Sequence, residues 1–259
     1  MSVLSFPAFT ARLRHAEHVM GTVVSFDVPL SARDDGSLDS AVRWLHWVDR
    51  VFSPYRPDSD VSLLAGAEVT VEACAPEVAE VLAACAFVRE LSGGYFTSSP
   101  GGQFDPSGYV KGWAIERAAD ILTQAGSASH LVNGGGDVQC VGGRGAEPWR
   151  VGIADPFRPG RLALVVTARD HAVATSGTAE RGSHIVNPVA GRPASGLASL
   201  TVAGPSLALA DACATAAFAM GPELAREWTE SLEHHEAFAI TTAGEAWQTT
   251  GFSRHISTD

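Results

Sequence analysis

The sequence predicts an α+β (mixed α/β) fold for residues 1–259, a single domain of largely antiparallel sheet flanked by helices. Three observations carry this expectation. In the first half, segments with apolar residues at helical spacing alternate with short β-rich runs. The second half reads as successive strands separated by Gly- and Pro-containing turns. No internal repeat, linker or low-complexity tract divides the chain.

Taken in order, Glu17–Val28 is β-rich and predicts a strand with Met20, Gly21 and Thr22 at its start. Ser37 is expected to cap a helix in which Leu38, Val42, Leu45, Val48 and Phe52 form an apolar stripe, with Trp44, His46 and Trp47 as packing or surface residues. In the Pro- and Asp-rich loop that follows, Ser59 is an N-cap candidate. Tyr55 and Arg56 sit at the centre of this loop, either as a stacking face for a planar ligand or with Tyr55 buried beneath its own loop. Glu68–Glu72 is expected to be a short strand. Pro76 starts a helix with Val78, Val81, Leu82, Cys85, Val88 and Leu91 inward, ended by Gly93 or Gly94. Residues Tyr95–Gly108 read as loop, and the next helix is expected to begin near Lys111 and to end near Gly126.

Asn133 to Asp137 (NGGGD) reads as a tight glycine turn, either a simple hairpin or a close approach of backbone to a ligand. Trp149–Ile153, Leu162–Thr167, Ala172–Thr175, His184–Val186 and Ala198–Ala203 are expected strands. Turns at 174–177 and 184–188 put hydroxyls and the His184 imidazole at strand ends, where sites are commonly assembled, although a lone His on a strand is more often structural than catalytic. Ser206 opens an almost wholly apolar helix ended by Gly221, and the tail reads as a final hairpin.

Composition excludes several classes. The net charge of −11, with no basic run, argues against nucleic acid or an anionic membrane as partner. Charged residues make up 18%, below the roughly 25% of average proteins. No apolar run approaches the ~20 residues of a membrane span, and the N-terminus lacks a basic segment ahead of its apolar residues. Cys74, Cys85, Cys140 and Cys213 have no metal-site spacing and read as buried thiols of a reducing, cytoplasmic compartment.

Two stretches carry chemistry. Lys111 is the only lysine in a chain with 17 arginines, and it lies beside Asp105 where a Pro/Gly loop enters a helix. It is either a phosphate contact at a helix N-terminus or an ordinary solvated lysine. In the helix after Ser206, Asp211 is the only charged side chain and Thr215 falls four residues later on the same face. That carboxylate and hydroxyl suit a hard cation such as Mg²⁺, completed by water, substrate phosphate or a backbone carbonyl; alternatively, Asp211 caps another element or pairs with an arginine. Neither a P-loop nor a Rossmann fingerprint is present. A lysine, an oxygen pair, an aromatic loop and glycine turns together imply a planar ligand bearing a pyrophosphate.

These residues resemble the ApbE-type FAD:protein FMN transferases. The resemblance covers nearly the whole chain: MGT at Met20, FSPYRPDSDVSLL, FDPSGYVKGWAIERAA, LVNGGGDVQ, WRVGIADP, ATSG, HIVNPVAGRPA and PSLALADACATAAFAMG. It implies a mixed α/β fold that binds FAD and Mg²⁺ and moves FMN onto a Thr or Ser of an acceptor protein, releasing AMP. By the same resemblance, Asp211 and Thr215 ligate the metal with the Gly108 carbonyl. Met20, Tyr55, Tyr95, Phe96, Thr97, Asp105, Lys111 and the neighbourhood of Ile185 contact FAD. His184 is the implied general base, and Lys111 joins it as a catalytic residue.

The chain departs from the family at Tyr95-Phe96-Thr97, where an acidic residue is usual, and in the shorter segment from there to Asp105. The leader of many members is not seen, which matches the cytoplasmic expectation. Two other readings share the same site: hydrolysis of FAD to FMN and AMP, and flavin binding without turnover.

Overall fold

The computed structural model describes residues 11–178 and 185–257. The strands are β1 Arg12–Val19, β2 Thr22–Pro29, β3 His130–Gly134, β4 Asp137–Val141, β5 Trp149–Ala154, β6 Leu162–Ala168, β7 His171–Gly177, β8 Val186–Asn187, β9 Arg192–Pro193, β10 Leu197–Gly204, β11 Glu236–Thr241 and β12 Ala246–Gln248. The helices are α1 Ser31–Asp34, α2 Ser37–Phe52, α3 Asp60–Ala65, α4 Pro76–Leu91, α5 Ser107–Gln124, α6 Leu207–Met220 and α7 Pro222–Glu230.

Eight strands form one antiparallel sheet in the order β1-β2-β3-β4-β7-β10-β11-β12. The period-2 alternation of a strand divides its side chains between two cores. On one face Val132, Ala172, Ala174, Leu200 and Val202 pack with α2, α4, α5 and α6. On the other face Val138, Cys140, Val173, Ala203, Phe238 and Ile240 pack with the β5–β6 hairpin and Phe252. The central strand β10 is therefore buried at all 8 of its positions.

The α2 stripe is buried at Leu38, Leu45, Val48 and Phe52, as the spacing predicts. Trp44 stacks on Trp47 at 5.0 Å, meets Trp113 at 5.1 Å and donates its indole N–H to the Ala114 carbonyl, so these aromatics do structural work. Ser59 caps α3 by accepting the Ser62 N–H, and Ser206 caps α6 by accepting the Leu209 N–H.

Several expectations are corrected. Glu17–Val28 is not one strand: Met20 (φ 54) and Gly21 (φ 67) form the two-residue turn of the β1–β2 hairpin. A methionine with positive φ carries no Asn-Gly or Asp-Gly signal, so local chemistry conceals the turn. Ser37 is the first residue of α2 instead of its cap; Gly36, at φ 74, precedes it, and Asp35 accepts the Ser37 N–H. Glu68–Glu72 forms no strand, and the segment ends in a 3-10 turn at Val71–Ala73. Helix α5 starts at Ser107, one turn earlier than Lys111, so Gly108 is helical. Leu91 is exposed, as is Tyr55 at 93%, which removes the buried alternative for that tyrosine. The turn expected at 174–177 is the end of β7. Helix α7, which starts at Pro222, is not among the expected elements.

Candidate functional site

The site is built where α5 crosses α6. Gly112 makes that crossing possible: a Cβ there would lie 2.7 Å from the Leu207 carbonyl oxygen and 2.9 Å from Asp211 Cβ. The approach is locked by Glu116, whose Oε2 accepts the Ser206 hydroxyl and the Ala208 N–H, each at 2.8 Å. The Gly112 N–H then donates to Asp211 Oδ2 at 3.1 Å. Gly108 lies one turn earlier, so its carbonyl is the intrahelical counterpart of that same N–H.

Asp211 is buried, with 4% of its surface exposed. Burial pushes its carboxyl up to about 7; the Lys111 ammonium opposes that rise and the neighbouring Asp137 adds to it. Lys111 sits between two acids. Its Nζ is in ion-pair contact with Asp137 Oδ2 and lies 3.6 Å from Asp211 Oδ1. Asp137 is fully buried at the start of β4, where its other oxygen accepts the Thr175 N–H at 2.9 Å. The Thr215 hydroxyl, one turn after Asp211, lies 3.4 Å from Ser176 Oγ on β7.

These contacts are a test of cation fit. The Asp211 Oδ1 and Thr215 Oγ1 contacts are longer than the ~2.7–2.9 Å of strong charge-assisted and hydroxyl bonds. Both oxygens therefore retain capacity for a hard cation. Among the described residues no group of three His, Cys, Asp or Glu could hold a metal, so such a cation would complete its shell with hydroxyl, backbone or ligand oxygens. The donor set fits Mg²⁺ in that manner.

The remaining sequence candidates are placed as follows. Met20 is at the tip of the β1–β2 hairpin, next to the Gly135–Gly136 turn, where a Cβ on Gly135 would lie 3.1 Å from Thr22 Oγ1. Phe96 is buried in the main core, and a Cβ on Gly108 would lie 3.4 Å from its ring. Tyr95 packs against the same core, and Thr97 Oγ1 accepts the Ser99 N–H. Asp105 organises the entry to α5: its Oδ1 accepts the Ser107 N–H and its own N–H donates to the Ser98 carbonyl. Ile185 packs on the main core and accepts the Ala194 N–H. Tyr55 projects from the α2–α3 loop, while Arg56 pairs with Asp58. His184 lies outside the described residues.

The structure thus brings together Lys111, Asp211 and Thr215 and adds Asp137, to which the sequence assigns no role, and Ser176, one of the strand-end hydroxyls at 174–177. The signal for Asp137 was its position directly after a glycine turn at the start of a strand. For Ser176 it was a hydroxyl at a strand end.

A family model described as the ApbE family matches residues 20–101 and 97–239, which include every one of these positions. The chain belongs to the ApbE family. Proteins named FAD:protein FMN transferase are similar to it: one from Rhodobacter capsulatus is 35% identical over 208 residues, covering 75% of this chain and 37% of the relative. Another, from Escherichia coli strain K12, is 33% identical over 156 residues, covering 56% and 44%. The chain thus spans less than half the length of these relatives. In solved structures, the flavin transferase ApbE from Vibrio cholerae superposes with a TM-score of 0.84 at 21% identity, covering 95% of this chain and 99% of that one. The ApbE protein from Thermotoga maritima gives 0.83 at 22%, covering 95% and 100%. At these identities the structural likeness establishes the ApbE fold, with mixed helices and largely antiparallel sheet.

Proposed function

We propose that this ApbE chain transfers FMN from FAD to a Thr or Ser hydroxyl of an acceptor protein, with Mg²⁺, and releases AMP. The names of the relatives support flavin transfer. The observation that carries the reading is the oxygen pair on α6: Asp211 is buried and held by the Gly112 N–H, and Thr215 lies one turn further along, facing β7.

In this reading, Asp211, Thr215 and the Gly108 carbonyl hold the cation, which when bound would offset pyrophosphate charge and polarise phosphorus. Lys111 supplies a second positive charge on the neighbouring β4 side of the site. Met20, Tyr55, Asp105, Ile185 and the Tyr95–Thr97 stretch position the flavin dinucleotide. His184 takes the proton of the acceptor hydroxyl as the new phosphoester bond forms and the bond to AMP breaks. A neutral imidazole has a ring nitrogen that can accept that proton. A cytoplasmic setting is part of the proposal, supported by three buried thiols, Cys85, Cys140 and Cys213, that burial pushes up to about 12. Among the described residues no helix is long and apolar enough to cross a membrane.

The test is incubation with FAD, Mg²⁺ and acceptor candidates, followed by mass spectrometry of the acceptor and chromatography of nucleotides. Covalent flavin on the acceptor together with AMP is expected. AMP without labelled protein would replace transfer with hydrolysis, and intact FAD with every acceptor would leave binding only.

A further inference from the structure

Lys111 is poised between two carboxylates of different standing, and the difference is informative. Asp137 has 0% side-chain exposure, is in direct contact with the ammonium and is fixed from behind by the Thr175 N–H. Asp211, with 6% side-chain exposure, lies at 3.6 Å, beyond hydrogen-bond length, and is fixed by the Gly112 N–H. A flexible lysine reaching two buried acids goes to whichever compensates more of its charge, and a fully buried carboxylate gains most from a cation. The ammonium is therefore drawn to the β4 side of the site and away from α6.

We propose that Asp137 is a positioning residue: it holds the chain's only lysine off Asp211, so that Asp211 Oδ1 stays available as a cation ligand. The cation half of this inference rests on the proposed function; the Asp137–Lys111 half does not. Without the Asp137 charge the ammonium would settle on Asp211, taking the oxygen and repelling a divalent ion from the same few ångströms.

The single lysine makes the arrangement directly observable. Protein labelled with ¹³C/¹⁵N-lysine has one side-chain ammonium signal, belonging to Lys111. Asp137→Asn keeps an acceptor for the Thr175 N–H while removing the charge and turning the oxygen that faces Lys111 into an N–H donor. The metal-free Asp137→Asn protein is expected to show a shifted ammonium signal, and calorimetry with Mn²⁺ as the probe is expected to show roughly ten-fold weaker binding. The double variant Asp137→Asn/Lys111→Met, which removes the competitor, is expected to recover binding to near the wild-type level.

An unmoved ammonium signal in folded Asp137→Asn would overturn the inference without touching the proposed function. So would a moved signal with unchanged Mn²⁺ affinity, or a double variant as weak as the single one. Absence of Mn²⁺ binding to the wild-type protein would overturn both the cation half and the metal role in the proposed function. Should Asp137→Asn fail to fold, Lys111→Met alone decides: it is expected to bind Mn²⁺ at least as tightly as wild type, and weaker binding would overturn the inference.

Discussion

Gly112 and Asp211, 99 residues apart in sequence, are joined by a 3.1 Å hydrogen bond across the closest approach of α5 and α6. The bond exists because Gly112 has no Cβ; any side chain would run into the Leu207 carbonyl and the Asp211 Cβ. A backbone N–H thereby becomes the anchor of a buried carboxylate, and the helix that carries Lys111 is registered against the helix that carries the oxygen pair.

Gly112→Ala is accordingly expected to destabilise the fold by about 1–3 kcal/mol, as overpacking of a close helix crossing does. Denaturant unfolding measures it. A change within error would mean that the two helices separate freely and that the crossing does not position Asp211.

Asp211→Ala is expected to fold but to lose divalent-dependent activity by at least about 100-fold, the scale of removing a group that stabilises transition-state charge. Circular dichroism and activity across a Mg²⁺ titration test both halves. A folded variant with full activity would remove Asp211 from the site.

His184→Ala is expected to retain FAD binding while transfer slows by about 100- to 10,000-fold, the range for a positioned general base. Flavin fluorescence titration and acceptor labelling separate the two. Unchanged transfer would reassign His184 to a structural role.

His130 makes acid stability predictable. It is fully buried between Ser127 Oγ and the Ala119 carbonyl, and burial depresses its value from 6.5 to about 4. The unfolded chain therefore binds a proton that the folded chain refuses between those limits. The stability held by the neutral ring is complete above pH 6.5 and declines as pH falls towards 4, by at most about 1.4 kcal/mol per pH unit. Urea unfolding of wild type and His130→Gln at pH 7 and pH 5 should show the gap narrowing at the lower pH; a gap independent of pH would contradict the assignment.

Much of the fold was legible because it is written locally. Ser59 as a cap, Ser206 and Gly221 as the two ends of an apolar helix, the NGGGD turn and the α2 stripe each depend on neighbours within a few residues, and the structure bears them out. Where local chemistry is atypical, the sequence conceals the structure: Met20 in a turn with positive φ, the start of α5 at Ser107, and the irregular segment at Glu68–Glu72.

The amino-acid order alone determined helices α2, α4 and α6, the NGGGD hairpin, the single acid of the apolar α6 and the isolated lysine, because periodicity, turn chemistry and composition act over one or two turns of chain. Only the tertiary structure decided that Asp137 faces Lys111, that Ser176 meets Thr215 and that Gly112 holds Asp211. Those pairings follow from the strand order β3-β4-β7-β10 and from how closely two helices can pack. Sheet order and helix approach are settled by burial of the whole core, which leaves no mark on any single stretch of sequence.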